Sequence, residues 1–135
     1  MATHSVTTVF NRNMLFTANV TGFDVLMNDG EDDNGASPKQ MMLASLAGCT
    51  GMDVVSMLRK MKVDFSDYSM VVDADLTDEH PKIYNKVKLT YKIRLAAEDQ
   101  LKMEKAVTLS KEKYCGVSAM FTAFAELTTE IIYLD

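Results

Sequence analysis

The stretch Ser37-Pro38-Lys39-Gln40-Met41-Met42-Leu43-Ala44-Ser45-Leu46-Ala47-Gly48-Cys49-Thr50-Gly51-Met52-Asp53-Val54-Val55 decides the fold. Serine stands at an N-cap and proline at a first helical turn. Gln40, three residues after Ser37, fits a capping box. Met42, Leu43, Leu46, Thr50, Val54, Leu58 and Met61 then recur at helical spacing, so the helix is expected to run to about Met61. Between Gln40 and Ser56 the only charge is Asp53. A helix apolar nearly all round is buried on most sides. A single small chain offers too few elements to cover it, which predicts an obligate homodimer with an interface above about 2,000 Å².

Upstream the chain reads as strands. Ser5 to Phe10 is β-branched and aromatic, Asn11-Arg12-Asn13 signals a turn, and Met14 to Val20 and Phe23 to Met27 are split by Thr21-Gly22. Asn28 to Gly35 is an acidic loop. Downstream, Asp67 to Leu76 is expected as a strand and Asp78-Glu79-His80-Pro81 as a turn. From Ile83 to Leu95, Val87, Leu89, Tyr91 and Ile93 alternate with Lys86, Lys88, Thr90 and Lys92, the period of a half-exposed strand. Ala97 to Glu112 reads as an amphipathic helix with Leu101, Ala106, Val107 and Leu109 inward. A short helix from Cys115 to about Ala123 and a strand from Glu126 to Leu134 complete the order βββ-α-ββ-αα-β, an α+β pattern.

The 135 residues fit one domain, 1–135, and 47% are hydrophobic, enough for a core. The net charge of −5, without a basic run, argues against nucleic acid and an anionic membrane surface. The opening Met1-Ala2-Thr3-His4-Ser5 is short and polar, unlike a signal peptide. The uncharged stretch Gln40 to Met52 is too short to span a bilayer. A cytoplasmic location is expected, where a transient disulfide fits better than a structural one. The two cysteines and two histidines lack zinc-site spacing, so neither metal nor cofactor is expected.

Cys49 and Cys115 are the only cysteines. Composition alone favours two small buried apolar residues. As a redox pair, their reactivity depends on what lowers a thiol pKa. Cys49 lies mid-helix among small residues that let a backbone or substrate approach. Asp53, at i+4 on the same face, raises a thiol pKa by its charge and is expected to accept hydrogen bonds from a neighbouring element. Cys115 is expected at the first turn of a helix, near Lys111 and Lys113, where partial positive charge favours a thiolate. His80 reads as a solvated turn residue, and Arg12, Arg59 and Arg94 as surface charges. Of the eleven methionines, Met41, Met42, Met52, Met57 and Met61 fall at helical spacing and read as core.

These segments carry a resemblance. Ser37-Pro38 leading to Gly48-Cys49, Met52-Asp53-Val54-Val55, His80-Pro81-Lys82-Ile83-Tyr84 and Leu109 to Val117 with Lys113-Tyr114-Cys115 resemble the OsmC/Ohr family, osmotically inducible protein C and organic hydroperoxide resistance protein, in its OsmC-like branch. The resemblance implies an intertwined homodimer around two central buried helices. It implies a thiol peroxidase that reduces organic hydroperoxides in oxidative-stress defence. Cys49 would be the peroxidatic residue, Cys115 the resolving one, and a dithiol the reductant. The helix-terminus argument from the residues instead favours Cys115 as the more activated thiol.

The chain departs from the family at one place. Peroxidase members carry a glutamate shortly after the proline, paired with an arginine that lowers the pKa of the peroxidatic cysteine. Here Lys39 and Gln40 stand there. Lys39 remains as a source of positive charge, and Gln40→Glu is expected to raise peroxide reactivity where an arginine lies in reach. The substitution opens an alternative: a protein without efficient peroxidase activity that binds a small hydrophobic ligand in a dimer-interface pocket.

Overall fold

The computed structural model describes residues 2–29 and 34–135. Of the expected acidic loop, residues 30–33 lie outside the described residues. The chain divides into two compact units, Met1–Met42 and Leu43–Asp135.

In the first unit, β1 (Thr7–Arg12), β2 (Leu15–Val20) and β3 (Phe23–Met27) form an antiparallel sheet in the order β1-β2-β3. Thr21 and Gly22 both take positive φ, 51° and 85°, the geometry of the two-residue hairpin loops that match strand twist. The expected turn at Asn11–Asn13 falls later. β1 continues through Arg12 with a register shift between Phe10 and Arg12, and Asn13 takes the left-handed conformation that asparagine tolerates. Gly35 (φ 95°) lets the chain return beside β3: a Cβ there would lie 3.0 Å from the Leu26 carbonyl carbon and the Met27 nitrogen.

Helix α1 (Pro38–Lys60) has the expected bounds to within a residue. Its start is capped by a long contact, the Gln40 N–H to Ser37 Oγ at 3.5 Å. By length and composition, α1 as a whole is apolar enough to cross a membrane, a stretch longer than the uncharged run alone suggested. Its buried residues are Leu46, Thr50, Gly51, Val54 and Leu58, a single stripe at i, i+4 spacing. The outer face is open, and two of the methionines read as core lie there: Met42 and Met52, the latter 74% exposed. Met57 and Met61 do pack against the core.

The second unit builds on β4 (Phe65–Leu76), β5 (Tyr84–Leu95) and β6 (Glu126–Tyr133), in that order across the sheet. β4 and β5 are antiparallel, whereas β6 runs parallel to β5. A parallel neighbour needs a long crossover, and α2 (Gln100–Leu109) and α3 (Gly116–Thr122) supply it. Val87, Leu89, Tyr91 and Ile93 face inward from β5 as the alternation predicts, while Lys86 and Lys88 point to solvent. Thr90, read as an outward residue, is buried because β5 is the central strand.

The core joins this strand to Leu46, Val54 and Leu58 of α1, Met103, Ala106 and Val107 of α2, Phe121 of α3 and Leu127 of β6. Each of the larger aliphatic, Met and Phe side chains contributes about 1.5–3 kcal/mol by leaving water. The inner face of α2 differs from the reading. Leu101 is 78% exposed, and Met103 takes the buried place. Met103, Ala106, Val107 and Ser110 share one face at i, i+3, i+4 and i+7, which turns Leu101 outward. The expected helix over Ala97 to Glu112 also breaks into three: a 3₁₀ turn (Ala97–Asp99), α2, and a π turn over Ser110–Tyr114.

Candidate functional site

The α1 stripe places Thr50 at full burial, with Cys49 beside it half-buried and Asp53 one turn on. The π turn after α2 ends at Cys115, which is extended (φ −80°, ψ 105°) and forms the N-cap of α3. Widening the helix by one residue per turn here ends α2 and re-aims the chain. The Cys115 N–H donates to the Ser110 carbonyl oxygen at 2.8 Å. Cys115 is buried, and its sulfur accepts from the Ser118 N–H at 3.2 Å.

The two thiols meet. Cys115 and the backbone N–H of Val117 lie close enough to Cys49 to act on its thiol. The first turn of α3 thus turns the Ser118 N–H to the Cys115 sulfur and brings that of Val117 near Cys49, using donors that a helix start leaves unpaired. The Cys49 pKa is nonetheless raised. Burial is the largest cause, and the Cys115 thiol adds to it. The Val117 N–H opposes them, and the charges of Cys115 and Asp53 push further upward. Asp53 therefore acts in the direction its charge predicts.

Asp53 also accepts from a neighbouring element. Ser110 Oγ lies 2.9 Å from Asp53 Oδ2 and 2.9 Å from Thr50 Oγ1, and Thr50 Oγ1 lies 2.6 Å from the Tyr91 hydroxyl. Ser110 is placed to donate in both of its contacts and, with one hydroxyl proton, serves Thr50 or Asp53 at a time, while either hydroxyl can donate between Thr50 and Tyr91. Burial raises the Tyr91 pKa, which keeps it a neutral donor. Ser118 Oγ is buried and, among the described residues, has no hydrogen-bond partner.

Lys39 and Gln40 are exposed in the first turn of α1, within the first unit. Every group placed at the cysteines above comes from the second. Lys111 donates to the Leu127 carbonyl at 2.9 Å, and the Lys113 ammonium lies 5.3 Å from the centre of the Tyr114 ring, so both lysines near Cys115 have partners of their own. Arg12 and Arg59 are exposed, and Arg94 pairs with Asp67 at 2.9 Å. His80 is exposed in its turn, as expected.

The sequence reading gave no role to Thr50, Tyr91, Ser110 or Val117. A hydroxyl at an inward strand position, as in Tyr91, is a usable signal, since a buried tyrosine needs a partner for its oxygen. Beside α1, Gly48, Gly51, Met52, Val55, Ser56, Arg59, Lys60 and Tyr68 line an open groove of about 650 Å³. Gly51 admits β4 closely: a Cβ there would lie 3.0 Å from Met70 Sδ.

Comparison with known proteins agrees with this architecture. The sequence profile of OsmC-like protein matches residues 30–130. Protein YhfA of Escherichia coli (strain K12) is 30% identical over 108 residues, covering 80% of this chain and 81% of YhfA. The OsmC-like protein of Mycoplasma pneumoniae superposes with a TM-score of 0.85 at 13% identity, over 99% of each chain. The organic hydroperoxide resistance protein OhrB of Bacillus subtilis superposes with a TM-score of 0.63 at 13% identity, over 95% of this chain and 98% of its own. With two thiols paired on this α+β frame and a profile match over most of its length, the chain belongs to the OsmC-like protein family.

Proposed function

We propose that the protein is a thiol-dependent peroxidase that reduces organic hydroperoxides. The observation that carries this reading is the closeness of Cys49 and Cys115, beside the first turn of α3, whose Ser118 N–H donates to the Cys115 sulfur. The Cys49 thiolate attacks the outer peroxide oxygen. The O–O bond breaks, the alcohol leaves with a proton, and a sulfenic acid remains on Cys49. Cys115 then attacks the Cys49 sulfur, a disulfide forms and water leaves. An external dithiol donates two electrons and two protons to restore both thiols. The organic hydroperoxide resistance protein of Bacillus subtilis shares the fold, and its name supports the substrate class.

The working form is a homodimer in the cytoplasm. The open apolar outer face of α1 supports a partner copy. Thiol consumption with tert-butyl hydroperoxide and a dithiol tests the activity. Turnover by wild type that vanishes in Cys49→Ser, and stalls at the sulfenic acid in Cys115→Ser, is the expected result.

A second reading has its own support. The raised Cys49 pKa, together with Lys39 and Gln40 where peroxidases carry a glutamate, disfavours fast peroxide attack. The groove beside Gly48, Met52 and Val55 is apolar enough to hold a small hydrophobic ligand. Absence of turnover, with saturable binding of an apolar fluorescent probe that Met52→Glu abolishes, selects this reading.

A further inference from the structure

We propose that Ser110 is the positioning residue that holds Cys115 against Cys49. The proposal rests on the reading of the two cysteines as a redox pair. Ser110 is fully buried at the junction of α2 and the π turn. Its hydroxyl meets α1 twice, at Thr50 and Asp53, both 2.9 Å away. Its carbonyl oxygen accepts the Cys115 N–H at 2.8 Å. One residue therefore ties the helix of the first thiol to the backbone of the second. Tyr91 extends the tie to β5, the central strand, through Thr50.

Buried hydroxyls joined by hydrogen bonds favour the arrangement that makes those bonds and penalise the others. Thr50 adjoins Cys49 and Asp53 is one turn beyond it, so Ser110 reads the position of the α1 segment that carries the first thiol. The π turn sets the geometry on the other side. It spans five residues, Ser110 to Tyr114, and its last backbone bond is the one from the Cys115 N–H to Ser110. Anchoring Ser110 anchors that ring and aims the Cys115 sulfur. Disulfide closure demands specific separations of the two residues, so small drifts of the ring weaken it.

Equilibration with glutathione measures this without any peroxide. Oxidised glutathione accepts two electrons and two protons from the Cys49 and Cys115 thiols. One glutathione leaves as a thiol when the mixed disulfide forms on Cys49, and the second leaves when Cys115 attacks that sulfur. The equilibrium constant is an effective concentration of one thiol at the other. In Ser110→Ala it is expected to fall by about tenfold, the scale of one lost buried hydrogen bond. Thr50→Val breaks the same chain from the α1 side with little change of shape, and it is expected to lower the constant in the same direction. The double variant is expected to fall no further than Ser110→Ala, because both changes remove one shared tie. Asp53→Asn keeps an acceptor for Ser110 and is expected to lower the constant less than Ser110→Ala does. A merely structural role would lower the urea midpoint of these variants and leave the constant in place.

A wild-type constant in folded Ser110→Ala, or in Thr50→Val should the first variant not fold, overturns the proposal. So does a wild-type protein that forms no Cys49–Cys115 disulfide at any glutathione ratio. A protein that forms the disulfide, shows these shifts and yet does not turn over tert-butyl hydroperoxide refutes the peroxidase reading and upholds the role of Ser110.

Discussion

At the scale of single residues, Cys49 is held between opposing effects. The Val117 N–H favours its thiolate, while burial, the Cys115 thiol and Asp53 favour the neutral form and win. A raised thiol pKa leaves less thiolate at neutral pH, and the thiolate is the nucleophile. Alkylation of Cys49 by iodoacetamide, followed on its own peptide by mass spectrometry, is therefore expected to speed up about tenfold per pH unit and to level off only above the free-cysteine value of about 8.5. An inflection below that value contradicts the balance described here. Asp53→Asn removes one of the upward pushes and is expected to move the inflection to lower pH.

At the scale of elements, the period of a pattern decided which expectations held. The β5 alternation sorted Val87, Leu89, Tyr91 and Ile93 inward, all at or near zero exposure. For α2 the period was right and the phase was not, since Leu101 and Met103 are both apolar and only packing chooses between them. The two therefore differ sharply as sites of mutation. Leu58→Ala on the buried stripe of α1 is expected to cost about 2–5 kcal/mol by leaving a cavity among β5 and α2 neighbours. Leu101→Ala on the open face of α2 is expected to stay within about 0.5 kcal/mol of wild type. Urea unfolding of both variants checks the contrast, and equal losses would mean that Leu101 is covered in solution.

At the scale of the whole molecule, α1 is apolar on more faces than its own chain covers. Leu46, Val54 and Leu58 are sealed, while Met52 stays 74% exposed above a groove of about 650 Å³. Exposed apolar area of this kind marks an interaction surface. Light scattering at micromolar concentration is expected to give twice the 15.0 kDa mass of one chain. Met52→Glu places a charge on that surface and is expected to shift the mass toward one chain, with loss of thermal stability, since a dimer of this kind folds with its partner. A stable folded wild-type monomer would count against a partner copy as the cover.

The sequence by itself determined the element order, the bounds of α1 to within a residue, and the place of Cys115 at a helix start. Those follow from local chemistry: Ser37 and Pro38 open a helix, side-chain periods of 3.6 and 2 separate helix from strand, and Thr21-Gly22 closes a hairpin. Asp53 as an acceptor was legible too, because a carboxylate on an apolar helix needs a donor. Only the tertiary structure decided the parallel pairing of β6 with β5, the π turn at Ser110, and the meeting of Thr50 with Ser110 and Tyr91. Residues 41 and 60 positions apart share those hydroxyl contacts. No local preference encodes such a contact, because it exists only once the helices and the central strand have packed and the buried hydroxyls have no water left to choose.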